Sequence, residues 1–197
     1  MKSILLSGLA AAIALTAAPA SAQTFEGPYV GVQGGWNHDS VGAPNTDLGK
    51  APINRSRDSF TGGVYAGYDH QILPRVVIGV DASFDLTTSD AVRGSAARVD
   101  PRFSFDLGAR AGYVVADKTL LYVRGGYKNM QATVTRTSGT TTLRDRDTFD
   151  GWSIGGGVER LITDHISAKV EYRYSDLGNK GGKYERQQAL VGVAYRF

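Results

Sequence analysis

Phe103-Ser104-Phe105-Asp106-Leu107-Gly108-Ala109-Arg110-Ala111-Gly112-Tyr113-Val114 alternates between apolar and small or polar residues almost without interruption. A period of two is that of an extended strand, whose successive side chains point to opposite faces. One face carries Phe103, Phe105, Leu107, Ala109, Ala111 and Tyr113, and the other carries Ser104, Asp106, Gly108, Arg110 and Gly112. The run is as long as the roughly 9–11 residues that a tilted strand needs to cross a bilayer.

Seven further segments repeat the pattern. Their apolar or small positions are Val30, Val32, Gly34, Trp36; Phe60, Gly62, Val64, Ala66, Tyr68; and Val76, Ile78, Val80, Ala82, Phe84. Beyond the quoted run follow Leu121, Val123, Gly125, Tyr127; Trp152, Ile154, Gly156, Val158; Ile166, Ala168, Val170, Tyr172, Tyr174; and Ala189, Val191, Val193, Tyr195, Phe197. The strand count is therefore even. The connections alternate in length: 70–75, 115–119 and 160–165 are turns, whereas 37–59, 86–102, 129–148 and 175–186 are long and rich in Gly, Ser, Thr, Asp and Arg. Long loops gathered at one end, with short turns at the other, are the plan of an outer-membrane barrel. The expected fold is all-β, an eight-stranded antiparallel up-and-down transmembrane β-barrel with both termini on the periplasmic side.

Composition agrees and narrows the field. The chain has 197 residues, 42% hydrophobic and 21% charged, with 25 Gly and no Cys. That is enough for one domain, and it fits neither a disordered chain nor a disulfide-stapled one. Beyond the N-terminus no apolar run reaches the roughly 20 residues of a membrane helix. A formal charge of +3 is too small a bias to indicate nucleic acid. The N-terminus itself reads as a secretory signal: Lys2, then an apolar stretch from Ile4 to Ala18, then Ala20-Ser21-Ala22 as a small-x-small cleavage site. Residues 1–22 are expected to be removed, leaving 23–197 as a single barrel domain.

Two sets of side chains follow from the parity. Trp36, Phe60, Phe84, Phe103, Tyr127, Trp152 and Tyr174 fall near the long-loop end of the outward face, and Tyr68, Tyr113 and Phe197 near the turn end. These are two aromatic girdles, separated by about 20–25 Å at roughly 3.3 Å per residue and a tilt near 40°. Facing inward are the acids Asp69, Asp81, Asp85, Asp106, Glu159 and Glu171 and the bases Arg110, Arg124, Lys128, Lys169, Arg173 and Arg196. An eight-stranded barrel is just wide enough for side chains to fill it. A balanced set of charges is expected to pair there as a structural filling, with Arg124, Glu159, Glu171 and Arg173 in one cluster.

Five segments carry a family resemblance: Gly27–Trp36 (GPYVGVQGGW), Leu120–Tyr127 (LLYVRGGY), Gly151–Glu159 (GWSIGGGVE), Lys169–Tyr174 (KVEYRY) and Val191–Phe197 (VGVAYRF). Together, and in this order, they resemble the small outer-membrane β-barrel proteins of alphaproteobacteria, the "porin family" barrels related to the OmpA transmembrane domain. The resemblance implies residence in the outer membrane, reached through the periplasm, and contact with its lipid and lipopolysaccharide. It also implies assembly by the outer-membrane insertion machinery, with Tyr195 and Phe197 as the C-terminal assembly signal. OmpA carries a peptidoglycan-binding domain after its barrel; the present sequence ends at Phe197, so direct cell-wall tethering is not expected.

Little chemistry is legible. There is no thiol, and His38, His70 and His165 lie far apart in sequence, so no metal site or cofactor is expected. His38-Asp39-Ser40 invites a triad reading, but a triad is a spatial arrangement and sequence neighbours on a strand point apart. A non-enzymatic, monomeric barrel is expected, structural or surface-interacting, with a charge-paired lumen and four external loops that contribute to envelope integrity. The alternatives are a narrow ion or small-solute channel and a soluble ligand-binding barrel, which would turn its apolar side chains inward.

Overall fold

Every alternating segment of the sequence forms a strand. In the computed structural model the described residues are 25–42, 45–46, 49–50, 55–88, 92–93, 97–116, 118–138, 141–177 and 183–197. The expected leader, residues 1–22, lies outside them. The barrel strands are β1 (Gly27–Gly42), β2 (Arg55–Leu73), β3 (Val76–Thr88), β4 (Ala97–Ala116), β5 (Thr119–Ser138), β6 (Thr141–Leu161), β7 (Ile166–Asp176) and β8 (Lys183–Arg196). Each pairs antiparallel with its sequence neighbours, and β1 pairs with β8 to close the ring, for example Val32 with Val193 and Gly35 with Leu190. Closure removes the free edges, so every strand finds a backbone partner on both sides through the wall.

The strands reach further than the alternation does. The segment 129–148, expected as a loop, is mostly the upper part of a hairpin whose ladder runs from Asn129 opposite Asp150 to Ser138 opposite Thr141. Likewise β1 continues to Gly42, β4 begins at Ala97 and β8 begins at Lys183, all inside stretches expected as loops. The reason is physical. Beyond the hydrocarbon both faces of a strand meet water, so selection for alternating hydrophobicity stops, while the backbone still gains by pairing. Pro101 marks one irregularity, a register shift between Pro101 and Phe103 where a residue without an N–H enters β4.

The hairpin also makes a prediction. The lower ladders carry the barrel, so deleting Thr137–Thr142 should leave a band that still shifts on boiling in gel electrophoresis. Loss of that shift would show that the hairpin tip is needed for folding.

Outside and inside are inverted relative to a soluble protein. Val32, Val123 and Val170 are 63%, 64% and 62% exposed, whereas Arg173 is 1% exposed and Lys128 fully buried. Exposed apolar area on this scale, continuous around the wall, suits hydrocarbon and not water. It is the opposite of what a soluble ligand-binding barrel requires. Glycines facing inward make room for the large polar side chains: a Cβ on Gly31 would stand 2.7 Å from Tyr65 Cζ, and one on Gly157 the same distance from Tyr122 Oη.

Candidate functional site: a lumen filled with charge

The inward positions of the strands converge on the barrel axis, where their charges form three tiers. The tier nearest the short turns is a ring of two arginines and two carboxylates. Arg110 Nε donates to Asp69 Oδ1 (2.8 Å) and its Nη1 to Glu159 Oε2 (2.9 Å). Arg196 closes the ring, donating from Nη1 to Glu159 Oε1 (2.9 Å) and from Nη2 to Asp69 Oδ2 (2.6 Å). The Tyr29 ring packs against both guanidinium groups, its centre 4.6 Å from that of Arg110 and 5.0 Å from that of Arg196. Each arginine thus meets both acids and an aromatic face, which offsets much of the cost of removing it from water.

The middle tier is wider. Arg124 Nη2 donates to Asp81 Oδ2 (2.8 Å) and Asp106 Oδ1 (2.7 Å), and Ser153 Oγ donates to Asp106 Oδ2 (3.0 Å). Arg173 binds Glu171 Oε1 through Nε (2.8 Å) and Nη2 (2.6 Å) and brings Nη1 to 3.5 Å from Asp106. The Tyr122 hydroxyl donates to Glu171 Oε2 (2.8 Å). Lys169 Nζ stands 3.6 Å from that same carboxylate oxygen and 3.6 Å from the centre of the Tyr65 ring.

Toward the long-loop end, Lys128 Nζ donates to Gln188 Oε1 (2.5 Å), and Gln188 Nε2 to Asn37 Oδ1 (2.9 Å). Gln33 Nε2 donates to Asp85 Oδ1 (2.8 Å), and Arg186 grips Asp39 through Nε (2.6 Å) and Nη2 (2.9 Å).

Of the lumen residues named from sequence, Asp81, Asp106, Arg124, Lys169, Glu171 and Arg173 meet in the middle tier, while Arg110 and Glu159 meet one tier below. The expected single cluster of Arg124, Glu159, Glu171 and Arg173 is therefore divided. Glu159 lies opposite Lys169, and Glu171 opposite Gly157, so the two glutamates differ in height; Glu159 is met by arginines reaching from β4 and β8. Asp39 and Arg186 are not among the inward-facing charges expected from the sequence, because each falls where apolar alternation has already lapsed. Extending the β1 and β8 parity by a few residues is the signal that finds them.

On the outside, the aromatic residues stand in two rows. Trp36 lies opposite Phe60, and Tyr127 opposite Trp152. Phe84 stacks on Phe103 and Trp152 tilts against Tyr174, both with ring centres 5.7 Å apart. Tyr68, Tyr113, Tyr195 and Phe197 are exposed near the turns, with Tyr195 edge-on to Phe197 at 5.0 Å.

The histidines stay apart. His38 Nδ1 is 2.7 Å from Asp58 Oδ1, and His165 Nδ1 is 3.1 Å from the Arg196 carbonyl. Ser40 Oγ contacts Ser56 Oγ (3.4 Å), and no Ser40–His38 hydrogen bond occurs among the described residues. Among those residues no group of three or more His, Cys, Asp or Glu side chains could hold a metal ion.

Comparison with known proteins agrees with this geometry. A family model described as outer membrane protein beta-barrel domain matches residues 7–197. The 31 kDa outer-membrane immunogenic protein of Brucella melitensis is 25% identical over an alignment of 240 residues that covers all of both chains. The 22 kDa outer membrane protein of Rhizobium leguminosarum bv. viciae is 27% identical, covering 89% of this chain and 80% of that protein. In fold, the chain is similar to the crystal structure of Ail, the attachment invasion locus protein of Yersinia pestis. There the TM-score is 0.53 at 16% identity, covering 88% of this chain and 100% of that one.

Proposed function

Because the chain belongs to the outer membrane protein beta-barrel domain family, we propose that this outer-membrane protein is a structural and surface-interaction barrel with a plugged lumen, contributing to envelope integrity. The observation that carries this reading is the tiered lumen itself. Buried Arg110, Arg124, Arg173 and Arg196 all end on carboxylates, so the interior is spent on mutual pairing. Ions crossing it would have to break those pairs in a low-dielectric channel.

In this reading the two aromatic rows anchor the barrel at the membrane–water interfaces, and Tyr195 and Phe197 present the assembly signal to the insertion machinery. Residues 1–22 are the leader removed on export. The external segments carry Arg55, Arg57, Arg93, Arg98, Arg144, Arg146, Lys180 and Lys183 among acids. Such a surface suits phosphate groups of lipopolysaccharide or other polyanions. One structure of Ail was solved with the heparin analogue sucrose octasulfate, a polyanion of that kind.

The second reading, a narrow ion or small-solute channel, draws on buried lumen atoms without a hydrogen-bond partner among the described residues, Tyr29 Oη, Asp81 Oδ1 and Arg124 Nε. Planar-bilayer recording separates the two. The plugged barrel should give no stable open events, and long-lived unitary currents from the wild-type protein would overturn it.

A further inference from the structure

The lumen charges stop short of the periplasmic mouth. In the last inward positions before the turns stand Val77 of β3, Val114 of β4, Leu120 of β5 and Leu161 of β6, all buried. They cover the half of the wall opposite β1. The matching positions on the other half do not complete an apolar floor: there stand Gly27, Gln71, Ser167 and Arg196. Half a floor would leave the Arg110–Asp69–Glu159–Arg196 ring open to water from below.

The gap is filled from outside the barrel pattern. Phe25 precedes β1 and takes no part in the ladder, yet it is fully buried and belongs to the same apolar cluster as Val77, Val114, Leu120, Tyr122 and Leu161. Its ring lies 5.3 Å from the Arg196 guanidinium, directly beneath the charge ring. To reach this seat the arm must turn across the mouth. It does so at Gly27, whose φ of 93° lies in the left-handed region that side-chain-bearing residues seldom adopt.

Between the turn and the ring, Glu26 holds the arm down. Its Oε2 accepts from the Gln71 backbone N–H (2.6 Å) and its Oε1 from His70 Nδ1 (2.8 Å), both at the turn end of β2. Partial burial would push the Glu26 carboxyl up, but these two bonds and the nearby Arg196 charge outweigh it and hold the group below its ordinary value. The contact is therefore charged at neutral pH.

We propose that Phe25–Gly27 is a strap that seals the periplasmic mouth of the lumen, with Phe25 as the stopper, Gly27 as the bend and Glu26 as the fastening. The strap is separable from the wall, because no ladder hydrogen bond between the strands depends on the Phe25 side chain. The inference assumes the outer-membrane orientation proposed above, in which the short turns face the periplasm. It does not assume a closed wild-type lumen along its whole length, so it can fail while the plugged-barrel reading stands, and the reverse.

The absence of native cysteine gives a direct test. Ser167 is inward-facing, buried and close to the mouth on β7, and Ser167→Cys introduces one thiol at nearly constant volume. In the refolded mature chain in lipid vesicles, labelling of this thiol by a small cationic methanethiosulfonate reagent should be slow. Adding Phe25→Ala should speed labelling at least tenfold, with the boiling-dependent gel shift retained. Adding Glu26→Ala instead leaves every lumen side chain in place and should speed it by a smaller factor. Fast labelling of Ser167→Cys alone would overturn the seal. So would an unchanged rate in both strap variants, and if Phe25→Ala abolishes folding, an unchanged rate in Glu26→Ala suffices to reject it.

Discussion

Replacing Glu159 with alanine is expected to lower the unfolding free energy of the barrel by about 3–5 kcal/mol, the usual cost of breaking a buried ion pair from one side. Glu159 is 2% exposed and accepts from both Arg110 and Arg196. Without it two guanidinium groups share Asp69 alone, in an interior where neither can be rehydrated without disturbing the apolar floor. Removing acid and base together, as in Glu159→Ala with Arg110→Met, should recover part of the loss, because the charge ring then keeps one acid and one base. Urea unfolding in vesicles measures both. Conductance recorded on the same variants distinguishes a structural ring from a gate: a gate would answer Glu159→Ala with new open events and little loss of stability. A single variant as stable as wild type, with unchanged conductance, would show that the ring carries neither role.

The second large effect belongs to the lipid face. Val80 and Leu107 point outward at mid-height of β3 and β4, 57% and 53% exposed, with Val80 opposite Ala109 and Leu107 opposite Ala82. An arginine at either place must be held in hydrocarbon, so Val80→Arg and Leu107→Arg should each cost about 2–4 kcal/mol near the bilayer midplane. Ala189→Arg is the control. It is also outward but lies opposite Trp36 in the upper aromatic row, where the cost should fall to about 0–1 kcal/mol. Equal folding of all three variants in lipid would refute the assigned height and facing of these strands, since a one-residue slip turns every side chain to the other face.

That facing is legible in the sequence itself. From Val30 to Phe197 each residue assigned outward by parity stands outward, because a strand through a bilayer has one face in hydrocarbon and the other in a narrow polar interior. The alternation is therefore imposed at every step. The even strand count and the short turns followed from the same constraint. Legibility failed where the constraint ends. Beyond the hydrocarbon the hairpin of β5 and β6 continues with Thr, Arg and Asp, and the alternation of apolar with polar residues lapses after Val134, so its length could not be read from that pattern; Asp39 and Arg186 are found only by carrying the parity past its end.

Strand identity, facing and topology were thus determined by the sequence alone, since each depends on periodicity and on the lengths of connections, which are local quantities. Who pairs with whom inside the lumen was decided only by the tertiary structure. Arg110 reaches Glu159 past one intervening strand, Lys128 meets Gln188 three strands away, and Phe25 crosses the mouth to join Leu120 on the opposite wall. Those partners are fixed by the tilt and stagger that close the ring, which set the relative heights of side chains on non-adjacent strands. A period of two says which face a residue takes and nothing about its height.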